Sequence, residues 1–216
     1  MTRMAEHESG ASNQSLPAIQ NLKPDRTYYI VPHSNFTKKI EIFDLTSQVK
    51  EQHDSEALKE EIKTLIKSSH QESCLTISKS NFWGTKLAIH EPPAGATIVE
   101  WKGSARAHGP SRFTFPADSS HSTHPIELKP SKFWTKNEQF VQDSITYSWE
   151  FDSKFSQRKL TLYKCTGVEK VVVAKYCSMA TFKTGGVLLL DSEELDEVIA
   201  VITCCAMLRK KRQRDS

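Results

Sequence analysis

Along the chain, apolar residues fall first into short alternating runs and only near the end into one unbroken block. "KKIEIFD" at 38–44 sets Ile40 and Ile42 on one side of a pleat, and "SCLTISK" at 73–79 does the same for Leu75 and Ile77. "TYSWEF" at 146–151 alternates most cleanly, with Tyr147, Trp149 and Phe151 on one face and Ser148 and Glu150 on the other. Such period-two alternation marks a half-buried strand. "TYYIVPHS", "TIVEWKG", "RKLTLYK", "EKVVVAKY" and "GGVLLL" read as strands from their β-branched and aromatic content. Asp152-Ser153, Thr166-Gly167 and Gly185-Gly186 are read as turns between them. Many short strands at regular spacing predict a sandwich or a barrel.

Two helices interrupt the strands. In "DSEALKEEIKTLIKSS" at 54–69, Asp54 or Ser55 is the cap, and Leu58, Ile62, Leu65 and Ile66 form an i, i+4, i+7, i+8 stripe. That stripe predicts an inserted amphipathic helix on the barrel surface, with a partner-binding groove helix as the other reading. The polar residues 1–24 are predicted to be a disordered leader, and the Pro- and Ser-containing stretch 116–132 a flexible loop.

The second helix is predicted over 191–208, followed by a basic tail at 209–216. Asp191 stands at the cap position and Glu194 completes a capping-box spacing. Asp191, Glu193, Glu194, Asp196 and Glu197 crowd the start, and Arg209, Lys210, Lys211, Arg212 and Arg214 the end, both placements favourable to the helix dipole. Val198 to Leu208 carries no charge over eleven residues, roughly 16 Å of helix. A bilayer core is about 30 Å thick, so the run is too short to span it. At about 100° per residue, eleven consecutive nonpolar positions leave no polar stripe, and a helix apolar all round is buried all round. In a chain otherwise made of strands, the place that encloses a helix completely is the inside of a closed barrel. The fold expected is therefore mainly β: a closed antiparallel barrel of about 12 strands around an apolar C-terminal helix. Full burial of side chains such as Val198, Ile202 and Leu208 is worth about 1.5–3 kcal/mol each.

Composition changes this picture little. The 216 residues are 25% charged and 38% hydrophobic with a formal charge of +3, ordinary for a globular domain and too small a charge to argue for nucleic acid. The first twenty residues lack the apolar core of a signal peptide. Cys74, Cys165, Cys177, Cys204 and Cys205 are odd in number and contain no C-x-x-C pair, so they read as reduced, mostly buried thiols of a cytoplasmic or nuclear protein.

The order of "IVEW" at 98–101, "YSWEF" at 147–151, "LTLYK" at 160–164, "VVAKY" at 172–176 and "GVLLL" at 186–190, closed by the acidic-apolar-basic helix, resembles the tubby C-terminal-like superfamily. That superfamily includes the tubby domain, the plant LURP-one-related proteins and the phospholipid scramblases, and the chain looks most like an uncharacterised basidiomycete fungal branch. The resemblance covers about residues 27–214. The branch has a Gly-containing turn before its Tyr-x-Trp strand, where this chain has Asp143-Ser144, and the helix at 54–69 stands as an insertion. Since tubby domains bind phosphoinositides at a basic surface pocket, the resemblance implies a single barrel domain, 25–208, with a taste for membrane surfaces. No tubby ligand residue aligns with a motif here.

The candidate chemistry is sparse. "RKKRQR" reads as dipole complementation, as an anionic-surface patch of Arg209, Lys210, Lys211, Arg212 and Arg214, or as a nuclear-import or nucleic-acid signal. His108, His121 and His124 do not form a zinc pattern, because no cysteine is near and the segment is a Ser/Pro loop. Ser104 and His108 lack a nucleophile elbow and a third partner, and neither a P-loop nor a dinucleotide glycine pattern occurs. Trp83, Trp101, Trp134 and Trp149 offer either a stacking platform or barrel-wall packing. The function expected is a non-enzymatic module without cofactor or metal that binds anionic lipid headgroups at the membrane periphery. The alternative is a protein-interaction scaffold using the helix at 54–69 and the loop at 116–132.

Overall fold

In the computed structural model, residues 22–33, 37–50, 56–68, 72–81, 85–92, 95–104, 108–132, 135–152, 158–179 and 184–215 are described. The caps Asp54 and Ser55, the tryptophans Trp83 and Trp134 and most of the expected leader lie outside them. The described residues form twelve strands: β1 (Arg26–His33), β2 (Lys39–Asp44), β3 (Leu75–Lys79), β4 (Lys86–His90), β5 (Thr97–Lys102), β6 (Ser111–Thr114), β7 (Ile126–Pro130), β8 (Glu138–Gln142), β9 (Ile145–Phe151), β10 (Lys159–Thr166), β11 (Glu169–Ser178) and β12 (Thr184–Leu190). Two helices accompany them, α1 (Glu56–Ser68) and α2 (Glu197–Asp215). Each strand pairs antiparallel with its sequence neighbour, and β12 returns to β1, so the sheet is a closed barrel with no free edge.

The alternation read in the sequence is the alternation of the wall. Ile42, Leu75, Ile77, Tyr147 and Trp149 point inward and are buried, while Ile40 and Phe151 pack partly against the same core. The inward residues close around α2, whose residues 198 to 208 are all buried. Thr203 is the polar exception and is fully satisfied: its hydroxyl donates to Ile199 O at 2.7 Å and accepts the Trp149 indole N–H at 3.1 Å. α2 runs parallel to β1, entering the barrel at one mouth beside Arg26 and leaving it at the other beside His33.

α1 lies outside the ring. Leu58 and Ile62 are buried in a second cluster with Tyr29, Leu45, Val49, Val187 and Leu189, over the outer faces of β1 and β12. The stripe fades toward its C-terminal end, where Leu65 is half-buried and Ile66 is 38% exposed.

Four expectations are corrected. The stretch 116–132 is not a loop throughout: β7 occupies 126–130, with Ile126 and Leu128 in the core, because its alternating Ile126 and Leu128 suffice to fill the wall between β6 and β8. The central helix starts at Glu197 rather than at 191, since Asp191–Asp196 forms turns and Asp196 is the residue that caps, accepting from Ile199 N at 3.0 Å. It also does not end at 208 but continues to Asp215, so the basic segment is helix and not tail.

Gly185 and Gly186 are not a turn either; they lie within β12, where the ring closes. A Cβ on Gly186 would stand 2.1 Å from Cys177 O, and one on Gly185 would stand 2.5 Å from backbone atoms of Pro32. Only glycine lets β11 and β1 approach β12 this closely. Asp143 and Ser144, with φ of 49° and 67°, form the two-residue β8–β9 hairpin, a turn whose positive angles suit Asp at the first position. Gly186→Ala is expected to destabilise the barrel by about 1–3 kcal/mol through overpacking at this seam. Urea unfolding followed by tryptophan fluorescence measures it.

Candidate functional site

The five cations expected as one anionic-surface patch are divided by the fold. Lys210 is not on the surface at all: it is 2% exposed and reaches across the core to Glu138 Oε2 at 2.5 Å and Leu128 O at 3.4 Å. Helical geometry explains this, because Lys210 continues the inward face of a helix that is surrounded on every side up to Leu208. Burial pushes the Glu138 pKa up and the Lys210 pKa down, outweighing the attraction between them in both cases.

Arg209 stacks its guanidinium over Trp101, 5.7 Å from the ring centre. Arg212 donates to His33 O at 2.8 Å. Arg214 lies 5.6 Å over Phe151, and its three guanidinium nitrogens are shielded without a hydrogen-bond partner. Lys211 is half-buried, and burial lowers its pKa. All four close the exit mouth of the barrel, spread from the β1–β5 side to the β9 side.

The more coherent cationic surface was not found in the sequence. At the exit mouth four consecutive strands end in lysine: Lys39 of β2, Lys79 of β3, Lys86 of β4 and Lys102 of β5. Pairing register sets Lys86 directly opposite Lys102, and Lys102 directly opposite Arg112 of β6. These three exposed cations line an outer groove of about 660 Å³ with Ser80, Glu100 and Thr114. Like charges directly opposite in neighbouring strands are destabilising; Glu127 of β7, directly opposite Arg112 on its other side, offsets this at one end of the row, while Lys86 and Lys102 face only cations. The sequence signal was a charge at each strand end, but only the register reveals that the charges face one another.

The entry mouth has the opposite sign. A cavity of about 570 Å³ is lined there by Asp44, Glu91, Asp196 and Glu197, with Tyr28, Cys74 and His121. Glu197 accepts from Arg26 Nε at 2.8 Å and from the Tyr28 hydroxyl, and His121 Nδ1 lies 3.0 Å from Asp196 Oδ2. His121 thus fastens the 116–125 segment to the residue that caps α2. No group of three or more His, Cys, Asp or Glu side chains suited to a metal ion occurs among the described residues. Trp101 and Trp149, 1% and 0% exposed, are core residues and not a stacking platform. All five cysteines are free thiols, Cys204 and Cys205 buried and the others half-buried. No helix among the described residues is long and apolar enough to cross a membrane.

Comparison with known proteins places the architecture only. A protein from Arabidopsis thaliana, known from an X-ray structure, superposes with a TM-score of 0.50 over 86% of this chain and 91% of its own, at 10% identity. The two chains share a fold. Neither a protein-family model nor a curated protein matches the sequence.

Two measurements test the mouth chemistry. Lys210→Met leaves Glu138 buried without its cation, an arrangement that costs about 3–5 kcal/mol. Combining it with Glu138→Leu is expected to restore most of that stability in chemical denaturation. His33 is buried with Nδ1–H donating to Val31 O at 2.9 Å, and burial lowers its pKa to about 4 from 6.5. The folded state therefore prefers neutral His33: its contribution is complete above pH 6.5 and is lost as pH falls toward 4. The loss amounts to about 3 kcal/mol, and His33→Gln is expected to flatten that part of the stability–pH curve.

Proposed function

We propose that this protein is a non-catalytic barrel of the tubby C-terminal-like kind that docks on anionic lipid headgroups through the β4–β6 groove. The observation that carries the reading is the row Lys86–Lys102–Arg112, three directly opposed cations in one concave surface. Glu127 faces Arg112 and Glu100 lines the groove, but neither Lys86 nor Lys102 has a carboxylate directly opposite it, and an external anion would relieve their repulsion. The flanking Lys39 and Lys79, and Arg209 and Arg212 of α2, extend the same sign around the rim. The docking surface is thus the barrel's exit side and not a detached tail.

The scaffold reading has less support. The apolar stripe of α1 that would receive a partner is largely spent, because Leu58 and Ile62 are already buried against β1 and β12.

Near an anionic leaflet each lysine or arginine contributes about 1 kcal/mol, so removing three weakens binding on the order of 100-fold. The protein is expected to pellet with vesicles of phosphatidylcholine and phosphatidylserine, and not with phosphatidylcholine alone. The triple variant Lys86→Ala, Lys102→Ala, Arg112→Ala should remain in the supernatant with both. Equal pelleting of wild type and variant overturns the groove, and no pelleting of the wild type overturns lipid docking.

A further inference from the structure

Among the described residues that line the β4–β6 groove, one charge has the opposite sign. Glu100 of β5 is exposed and stands two residues before Lys102, on the same face of the strand. Register sets it directly opposite Ala88 of β4 and Thr114 of β6, neither of them charged. Lys86 and Arg112 are therefore its diagonal neighbours, one on either side. Two residues along a strand span about 7 Å, so the carboxylate lies one step off the cation row rather than within it. Among the described residues its side chain makes no hydrogen bond or ion pair. The groove, of about 660 Å³, thus offers three cations and, beside them, one carboxylate between two neutral partners. That volume is ordinary for a small-ligand site.

We propose that the groove reads the phosphoserine headgroup of phosphatidylserine, with its phosphate and carboxylate on the row Lys86–Lys102–Arg112 and its ammonium on Glu100. This rests on the lipid docking proposed above and names which anionic lipid the groove takes. Charge balance favours the pairing. Three cations against one carboxylate leave the groove net positive, and phosphatidylserine, with two anionic groups against one ammonium, is net negative. Spacing favours it as well. Two carbons separate the serine nitrogen from the ester oxygen of the phosphate, so the headgroup, with a hydrogen bond at each end, bridges the offset of Glu100 from the row. An ammonium carries three donors: Glu100 accepts one, and the Thr114 hydroxyl directly across from it is placed to accept another. Phosphatidylglycerol has no amine, so it would meet the cations and leave Glu100 facing its phosphate. Phosphatidylcholine has an ammonium with no N–H to donate, and no net charge to draw it in.

Phosphatidylserine and phosphatidylglycerol carry the same net charge at neutral pH, so Coulomb attraction alone does not separate them. The full chain is titrated at constant salt with phosphatidylcholine vesicles containing an equal mole fraction of one or the other. Wild type is expected to bind the phosphatidylserine vesicles on the order of tenfold more tightly, the effect of one hydrogen bond between charged groups. Glu100→Gln, a change at an exposed position, is expected to bind phosphatidylglycerol at least as well as wild type and to lose the preference. Equal affinity of the wild type for the two lipids, or a preference that persists in Glu100→Gln, overturns the phosphoserine assignment and leaves anionic docking standing. Weakening of both lipids alike in Glu100→Gln also overturns it, because a merely structural role does that. Binding to neither lipid overturns the docking itself, and the assignment with it.

Discussion

Enclosing α2 is the constraint that organises the molecule. Eleven consecutive residues, Val198 to Leu208, are buried, and they face every direction around the helix axis. No single sheet face can cover them, because a face shields one side and leaves the other in water. Twelve strands joined edge to edge can, and the closing pair β1–β12 is what converts a curved sheet into a sleeve. Both ends of the helix are then tied to the wall by polar contacts. At the entry, the Tyr147 hydroxyl donates to Glu194 O at 2.9 Å and Arg26 holds Glu197; at the exit, Lys210 holds Glu138. The buried Lys210–Glu138 pair adds little net energy. A slide or rotation of the helix within the sleeve would part the two charges and leave both buried without a partner, which is strongly unfavourable.

Charge is distributed along the axis in the same sense as the helix. The positive end of the α2 dipole meets the carboxylates of Asp196 and Glu197, and the negative end meets Arg212 and Arg214. The cations around the exit exceed what one helix end, worth about half a charge, calls for. Lys39, Lys79, Lys86 and Lys102 belong to four different strands and owe nothing to the helix. That excess faces away from the acidic mouth, so the two ends of the barrel differ in sign.

The architecture was legible because it follows from periodicity. The run from Val198 to Leu208 and the alternation of Tyr147, Trp149 and Phe151 each state which side must be dry. What failed was boundary and destination. Gly185-Gly186 looked like a turn because glycine pairs usually are, whereas here the missing side chains admit Pro32 and Cys177. The 126–130 segment looked like loop because prolines flank it, and two inward residues proved enough for a short strand. "RKKRQR" looked uniform, yet the 100° step of a helix sends Lys210 to the core and Arg209 to Trp101. The groove of Lys86, Lys102 and Arg112 needed strand register, which a single sequence does not contain.

Closing the ring through β1 and β12 also governs when the chain can fold. Arg26 pairs with Leu190, and the core stays hollow until the helix beyond it is in place. On a ribosome, the early strands leave the exit tunnel long before their partner and their filling exist. Local hairpins such as β8–β9 are free to form during synthesis, but the sleeve itself assembles after the last strand and its helix are released. Such long-range pairing makes folding slow and leaves apolar strand faces open to wrong partners until α2 packs among them.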